Sequence, residues 1–213
     1  MLKRGKQEMW EELKAKGIKP FYEDESVIII NDDCRNVLPL LPDNYVSLVL
    51  TDPPYYGYED YDWSIVNLVG LLPHVRGFVF WKGSDFPLLF TARHIWAKAN
   101  RNIGNSGEQY EEIYEVNGNA TGLVLRHAVI DSEMNAQLNG DVFYDHPTQK
   151  PIKLIRRLLA PTKGVIIDPF MGSGTTLRAA KDLNRKCIGI EIEEKYCEIS
   201  ARRCSQSVLK LDV

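Results

Sequence analysis

The sequence predicts an α/β protein built on a doubly wound, mostly parallel seven-stranded sheet that carries one antiparallel strand. Three observations support this. Short β-rich apolar runs recur along the chain, helical stretches separate most of them, and several runs are uninterrupted rather than alternating. An unbroken run such as Val27-Ile28-Ile29-Ile30 suits a strand covered on both faces. With 213 residues and 44% hydrophobic content, the chain can bury one full core, so a single domain over 1–213 is expected.

The elements follow in order. Residues 6–16 read as a short amphipathic helix stopped by Gly17 and Pro20, inside a basic N-terminal segment, 1–20. Strands are expected at 27–30, 45–50, 77–81, 91–97, 111–116, 164–167 and 186–190. Helices are expected at 35–41, 64–72, 149–159, 175–183 and 193–203. One joint breaks the alternation. Between 94–98 and 111–116 lie Asn100, Asn102, Gly104, Asn105 and Gly107, a turn composition with no room for a crossover helix. A hairpin there places one antiparallel strand in the sheet. Residues 117–146 have weak periodicity and several Gly, Asn and Asp residues, so they read as a loop or small insert.

Composition narrows the class. No apolar run reaches membrane-spanning length, and Met1-Leu2-Lys3-Arg4-Gly5-Lys6 lacks an apolar signal-peptide core. Cys34, Cys187, Cys197 and Cys204 show no CxxC spacing, and three of them sit in apolar surroundings. Buried free thiols in a reducing cytoplasm, and no metal site, are therefore expected. The net charge of −3 does not advertise a nucleic-acid binder, but binding needs a local basic surface rather than a basic total. Candidates are Lys3, Arg4, Lys6, Lys14, Lys16 and Lys19, then Arg93, Lys98 and Arg101. The plainer interpretation of the first group is a solvated helix face.

Two stretches carry the chemistry. Gly164-Val165-Ile166-Ile167-Asp168 reads as a buried strand ending on an acid, followed by Pro169-Phe170-Met171-Gly172-Ser173-Gly174-Thr175-Thr176. Gly172 and Gly174 let the backbone turn sharply and approach a ligand, while Ser173, Thr175 and Thr176 supply hydroxyls and a helix cap. The helix N-terminus offers amide donors to an anionic group. Without Gly-Lys-Ser/Thr, a phosphate-binding P-loop is disfavoured. Glu191 ends the next strand, where an acid can accept hydrogen bonds from both hydroxyls of a ribose. In the other stretch, Tyr45–Thr51 delivers Asp52-Pro53-Pro54-Tyr55 to a strand's carboxyl end. Two prolines fix φ and hold a carboxylate and a carbonyl in place, with an aromatic beside them.

Together these stretches resemble the two signatures of amino-directed DNA methyltransferases. The acid-Pro-Pro-Tyr stretch comes first, as in the circularly permuted beta arrangement of that family. The resemblance covers nearly the whole chain from Ser26 to about Arg203, and includes Trp96, Lys98 and Glu112. It implies a Rossmann-like methyltransferase fold, S-adenosylmethionine as cofactor and double-stranded DNA as partner. It also implies roles for individual residues. Asp52 and the Pro53 carbonyl would accept the two hydrogens of an exocyclic amine, with Pro54 stiffening the turn, and Tyr55 would stack on a base extruded from the duplex. Tyr56, Tyr58, Tyr61 and Trp63 would form a flap over the pocket, or else pad the core. Asp168, Pro169, Phe170, Gly172, Ser173, Gly174, Thr175 and Glu191 would bind the cofactor. Asp33, beside Asp32, would meet its adenine amino group.

The segment Asp145-His146-Pro147-Thr148-Gln149-Lys150-Pro151 resembles the element that closes over the cofactor's methionine end. Thr148 would cap the helix that follows, Pro151 would sit in its first turn, and Thr148 and Lys150 would reach the cofactor carboxylate. Asp-Pro-Pro-Tyr resembles the adenine-N6 members, whereas Ser-Pro-Pro-Tyr goes with cytosine N4. Adenine N6 is the expected target and cytosine N4 the alternative. A non-catalytic DNA-binding module that retains the fold is the rival from another class, and intact Asp52 and Tyr55 argue against it. The insert at 117–146 is short for a sequence-reading region. That predicts a short or relaxed recognition site, or a second subunit in a homodimer that helps read it.

Overall fold

A computed structural model of the chain describes residues 6–42, 44–54, 75–82, 86–98, 109–119, 121–138, 140–144 and 149–206. In chain order the elements are α1 (Lys6–Ala15), β1 (Tyr22–Glu23), β2 (Val27–Asn31) and α2 (Cys34–Val37), which runs into a 3-10 turn (Leu38–Leu40). Then come β3 (Leu48–Thr51), β4 (Arg76–Trp81), β5 (Ala92–Lys98), β6 (Tyr110–Val116), β7 (Val124–His127), α3 (Glu133–Leu138) and α4 (Ile152–Leu159). The chain closes with β8 (Ile166–Asp168), α5 (Thr175–Asp182), β9 (Cys187–Glu191) and α6 (Glu194–Ser205). The expected helix at 64–72 and the turn residues at 100–107 lie outside the described residues.

The strands form one sheet in the order β1-β2-β9-β8-β3-β4-β6-β5-β7. Its seven inner strands are the seven expected from the sequence. From β2 to β4 neighbours pair in parallel, whereas β6 runs antiparallel to both β4 and β5. The two outermost strands are additions. β1 is only two residues long, and β7 lies inside 117–146, pairing with β5 from Ile95↔Val124 to Lys98↔His127. Only Leu125 of β7 is buried, so the segment carries almost no periodic signal. The insert is therefore part strand and part helix rather than plain loop.

Core formation follows from the unbroken apolar runs. Val27 and Ile29 face one cluster with Leu48, Leu50, Phe78, Phe80 and the buried sides of α4 and α5. Ile28 and Ile30 face a second cluster with Trp10, Leu13, Val37, Ile167, Ile188 and Ile190. Alternate side chains of one strand serve both layers, so neither face tolerates a polar stripe. Helix α4 starts later than expected, because Pro151 is its N-cap, with extended backbone (ψ 130°). A proline also disfavours helical geometry at the preceding Lys150. All four cysteines are free and buried.

A buried polar group ties the antiparallel end together. Arg76 pairs with Glu115 at 2.7 Å, and His94 Nε2 lies 3.1 Å from the second Glu115 oxygen. His94 Nδ1 accepts the Leu123 backbone N–H at 3.2 Å, so Nε2 carries the ring proton and donates to Glu115. This anchors the loop before β7.

The sheet's switch point sets the site. β8 is followed through α5 by β9 on one side, whereas β3 pairs with β4 on the other. Ligands in open α/β sheets bind at such a point, outside the carboxyl ends of the strands. Close packing beneath it is enforced by Gly189, where a Cβ would meet Met171 Sδ at 2.4 Å and Leu177 Cδ2 at 2.7 Å. Gly189→Ala is expected to cost about 1–3 kcal/mol through overpacking, read as a lower midpoint in chemical denaturation with an unchanged slope.

Candidate functional site

Three neighbouring parallel strands each deliver an acid to the same edge. Glu191 ends β9, Asp168 ends β8, and Asp52 follows Thr51, the last residue of β3. They border a cavity of about 380 Å³, within the range of small-molecule sites. Asp52, Pro53, Pro54 and Phe80 line it from the β3–β4 side. Phe170, Met171, Gly172, Ser173, Thr175 and Thr176 line it from the turn and helix after β8. Glu191, Ile192, Glu193 and Tyr196 complete the wall beyond β9.

The glycine turn is built for close approach. Gly172 and Gly174 have φ of 49° and 75°, the left-handed region that favours glycine, and Gly174 is the N-cap of α5. A Cβ on Gly174 would also stand 2.6 Å from Ser200 Oγ. Helix α6 supports the turn from behind. Ser200 Oγ donates to the Gly172 carbonyl at 2.9 Å. The buried Arg203 donates to the Ser173 carbonyl at 3.3 Å and to Thr175 Oγ1 at 2.9 Å. Arg203 also pairs with Asp141 at 3.4 Å and stacks 4.6 Å above the Tyr144 ring. Asp141 accepts the Ile152 N–H at 3.0 Å, so it connects the start of α4 with the support of the turn.

Each acid is satisfied differently. Glu191 accepts the Gly172 N–H at 3.0 Å and the Glu193 N–H at 2.9 Å. Burial outweighs these amides and raises its pKa. A carboxylate accepts about four hydrogen bonds, so Glu191 keeps acceptor capacity beyond its backbone amides. Asp168 is buried, and burial pushes its pKa up to about 7 despite hydrogen bonds from Thr176 and the Phe170 amide. Asp52 accepts a hydrogen bond from Lys150. Burial disfavours the Lys150 ammonium, but Asp52 and Glu111 overcome it and raise its pKa, so Lys150 stays charged.

The structure places most of the sequence-derived residues around one cavity, with several exceptions. Asp33 does not line it. Its carboxylate accepts the Arg35 backbone N–H at 2.8 Å as the N-cap of α2 and forms an ion pair with the Arg35 guanidinium, which lowers its pKa. Lys150 lines the cavity, yet it is engaged with Asp52. Pro169 and Gly174 shape the turn without bordering the cavity. Tyr55, the aromatics after it, His146 and Thr148 lie outside the described residues. Lys98, a candidate for basic surface, is mostly buried against Glu111 at 2.9 Å, and Lys14 and Arg93 pair with Glu23 and Glu112. Sequence reading missed Phe80, Glu111, Gln149 and Glu193. Only strand pairing brings Phe80 and Glu111 to the cavity's side of the sheet, and no local pattern marks that. Among the described residues, no group of three or more His, Cys, Asp or Glu could hold a metal ion, and no helix is long and apolar enough to cross a membrane.

Residues 78–202, more than half of the chain, match the family described as DNA methylase, the N6/N4 methyltransferases. The chain belongs to the DNA methylase family. Among curated members of similar sequence, the Type II methyltransferase M.BglII of Bacillus subtilis is 25% identical over 81% of this chain and 67% of its own. Two solved structures share the fold. M1.HpyAVI in complex with SAM superposes with TM-score 0.61 at 21% identity, covering 84% of this chain and 100% of that one. The cytosine-N4-specific PvuII DNA methyltransferase gives TM-score 0.67 at 17% identity, covering 90% of each. DNA methylases of this family transfer a methyl group from S-adenosylmethionine to an exocyclic base nitrogen, N6 of adenine or N4 of cytosine.

Because the folded-state pKa of Asp168 lies above the ordinary carboxylate value, burial penalises its ionised form. Stability contributed at this position therefore declines as pH rises from about 4 towards about 7, and levels off above. Asp168→Asn should lack that decline. Urea midpoints of both proteins across this range should diverge in favour of the Asn variant as pH rises, and parallel curves would contradict the assignment.

Proposed function

We propose that the protein methylates adenine N6 in double-stranded DNA, with the target base turned out of the duplex into this cavity. The supporting observation is that Asp52, Pro53 and Pro54 border the same cavity as Glu191 and the Gly172–Thr176 turn. The residues suit S-adenosylmethionine. Glu191 keeps acceptor capacity for the ribose hydroxyls, Phe170, Ile192 and Tyr196 offer apolar surface, and α5 turns its amide-rich N-terminus towards a carboxylate. When bound, the cofactor supplies an activated methyl group on its sulfonium.

The chain's own residues prepare the acceptor. Asp52 accepts one hydrogen of the exocyclic amine and the Pro53 carbonyl accepts the other. These contacts draw the nitrogen lone pair out of ring conjugation. The neighbouring prolines hold both acceptors in place before the base arrives, so little reorganisation is left for the reaction itself. The nitrogen loses a proton only after it gains the methyl group, so Asp52 serves first as a hydrogen-bond acceptor. No cysteine nucleophile is required, and the four cysteines are buried. An acid at position 52, in place of the serine of the cytosine-N4 type, favours adenine. Cytosine N4 is the second reading, because its amine presents the same two hydrogens.

Among the described residues of 117–146, β7 and α3 are the regular elements. That small surface supports a short or relaxed recognition site, or one read with the help of a second subunit. Incubating the protein with DNA and labelled S-adenosylmethionine, then digesting to nucleosides, should yield N6-methyl-2′-deoxyadenosine; label in N4-methyl-2′-deoxycytidine would redirect the assignment. Asp52→Ala should bind S-adenosylmethionine by calorimetry yet lose about 10²–10³-fold in kcat. Near-wild-type transfer by that variant would remove Asp52 from the chemistry.

A further inference from the structure

Lys150 has two carboxylates within reach, and they are not equivalent. It donates to Asp52 Oδ2, and its Nζ lies 3.4 Å from Glu111 Oε2. Glu111 Oε1 is paired with Lys98 at 2.9 Å. Glu111 Oε2 is buried, and among the described residues its one contact is that long ion pair with Lys150, which falls short of a well-formed hydrogen bond. An acceptor buried in this way costs free energy, and native structures retain few of them without a reason. The Lys150 ammonium also lies 5.1 Å from the centre of the Phe80 ring, a cation–π contact. Closing the gap to Glu111 takes a movement of roughly half an ångström, small for a flexible lysine stem.

Chemistry supplies the motive for that movement. If Asp52 is to accept a hydrogen of the target amine, Lys150 competes with the amine for its carboxylate. An ammonium beside a nitrogen that gains positive character on methylation also opposes the reaction. We propose that Lys150 is a displaceable counter-ion with two seats. It holds Asp52 in place before the base enters, and passes to Glu111 Oε2 when the amine takes its place. Glu111 is the positioning residue that provides the second seat, and Lys98 keeps the pair of carboxylates and pair of ammonium groups in balance. This rests on the methyltransferase reading of the cavity, and gives Lys150 a role at the catalytic acid rather than at the cofactor.

The test is a double-mutant cycle on steady-state DNA methylation, with S-adenosylmethionine binding followed by calorimetry. Glu111→Gln removes the charge of the second seat and leaves Lys150 on Asp52. It should lower kcat roughly tenfold, a typical coupling for contacting charged groups, with cofactor affinity unchanged. Adding Lys150→Met restores the local charge balance and removes the competing ammonium from Asp52, so the double variant should regain most of the lost kcat. A double variant as slow as Glu111→Gln, or slower, would overturn the two-seat role. Loss of cofactor binding or of thermal stability in Glu111→Gln itself would show a merely structural residue, and would overturn it too. Failure of the functional reading is seen separately, as wild-type protein that transfers no methyl group to DNA.

Discussion

The organising constraint is the collection of carboxylates at one edge of the sheet, within a largely buried setting. Asp52, Asp168 and Glu191 leave three adjacent parallel strands, and Glu111 approaches from β6. Like charges so arranged raise one another's cost unless each finds a partner. Backbone amides serve Glu191, a hydroxyl and an amide serve Asp168, and ammonium groups serve Asp52 and Glu111. The partner chosen decides what each acid can do. Amide-bonded Glu191 keeps its geometry and spare acceptor sites. Asp168 sits near its point of protonation. Asp52 is held by the ammonium of a lysine side chain rather than by a rigid turn.

A second constraint is the rigidity of the glycine turn. Left-handed glycines make it compact, but they do not hold it in place by themselves. Helix α6 does that through Ser200 and Arg203, and a buried guanidinium is retained only where its donors are satisfied. Because Arg203 also grips Asp141 and Tyr144, the region between the hairpin and α4 is mechanically joined to the turn. The small insert is thus part of the site's scaffold as well as an extension of the sheet through β7.

The fold was legible because its physics is local. Buried parallel strands need apolar side chains on both faces, and unbroken Val/Ile runs announce that without reference to the rest of the chain. The hairpin after β5 was legible for the same reason, since Gly and Asn leave no helix. β7 was not legible, because an edge strand with one buried residue has no period to detect. The start of α4 was misjudged by counting Pro151 as a helical residue rather than a cap. Asp33, expected at the cofactor, caps α2 and pairs with Arg35, an arrangement that its place at a strand end did not reveal.

By itself, the sequence determined the seven inner strands, the antiparallel strand, the acid-bearing strand ends and the two motifs, because each depends on spacing along a short segment. Only tertiary structure decided which acids share a cavity, and which cations answer them. Lys150 meets Asp52 across 98 residues of chain and meets Glu111 on β6, which in turn pairs with Lys98 on β5. Ion pairs of that kind are set by sheet pairing and burial, which act through space and leave no periodic trace in the chain.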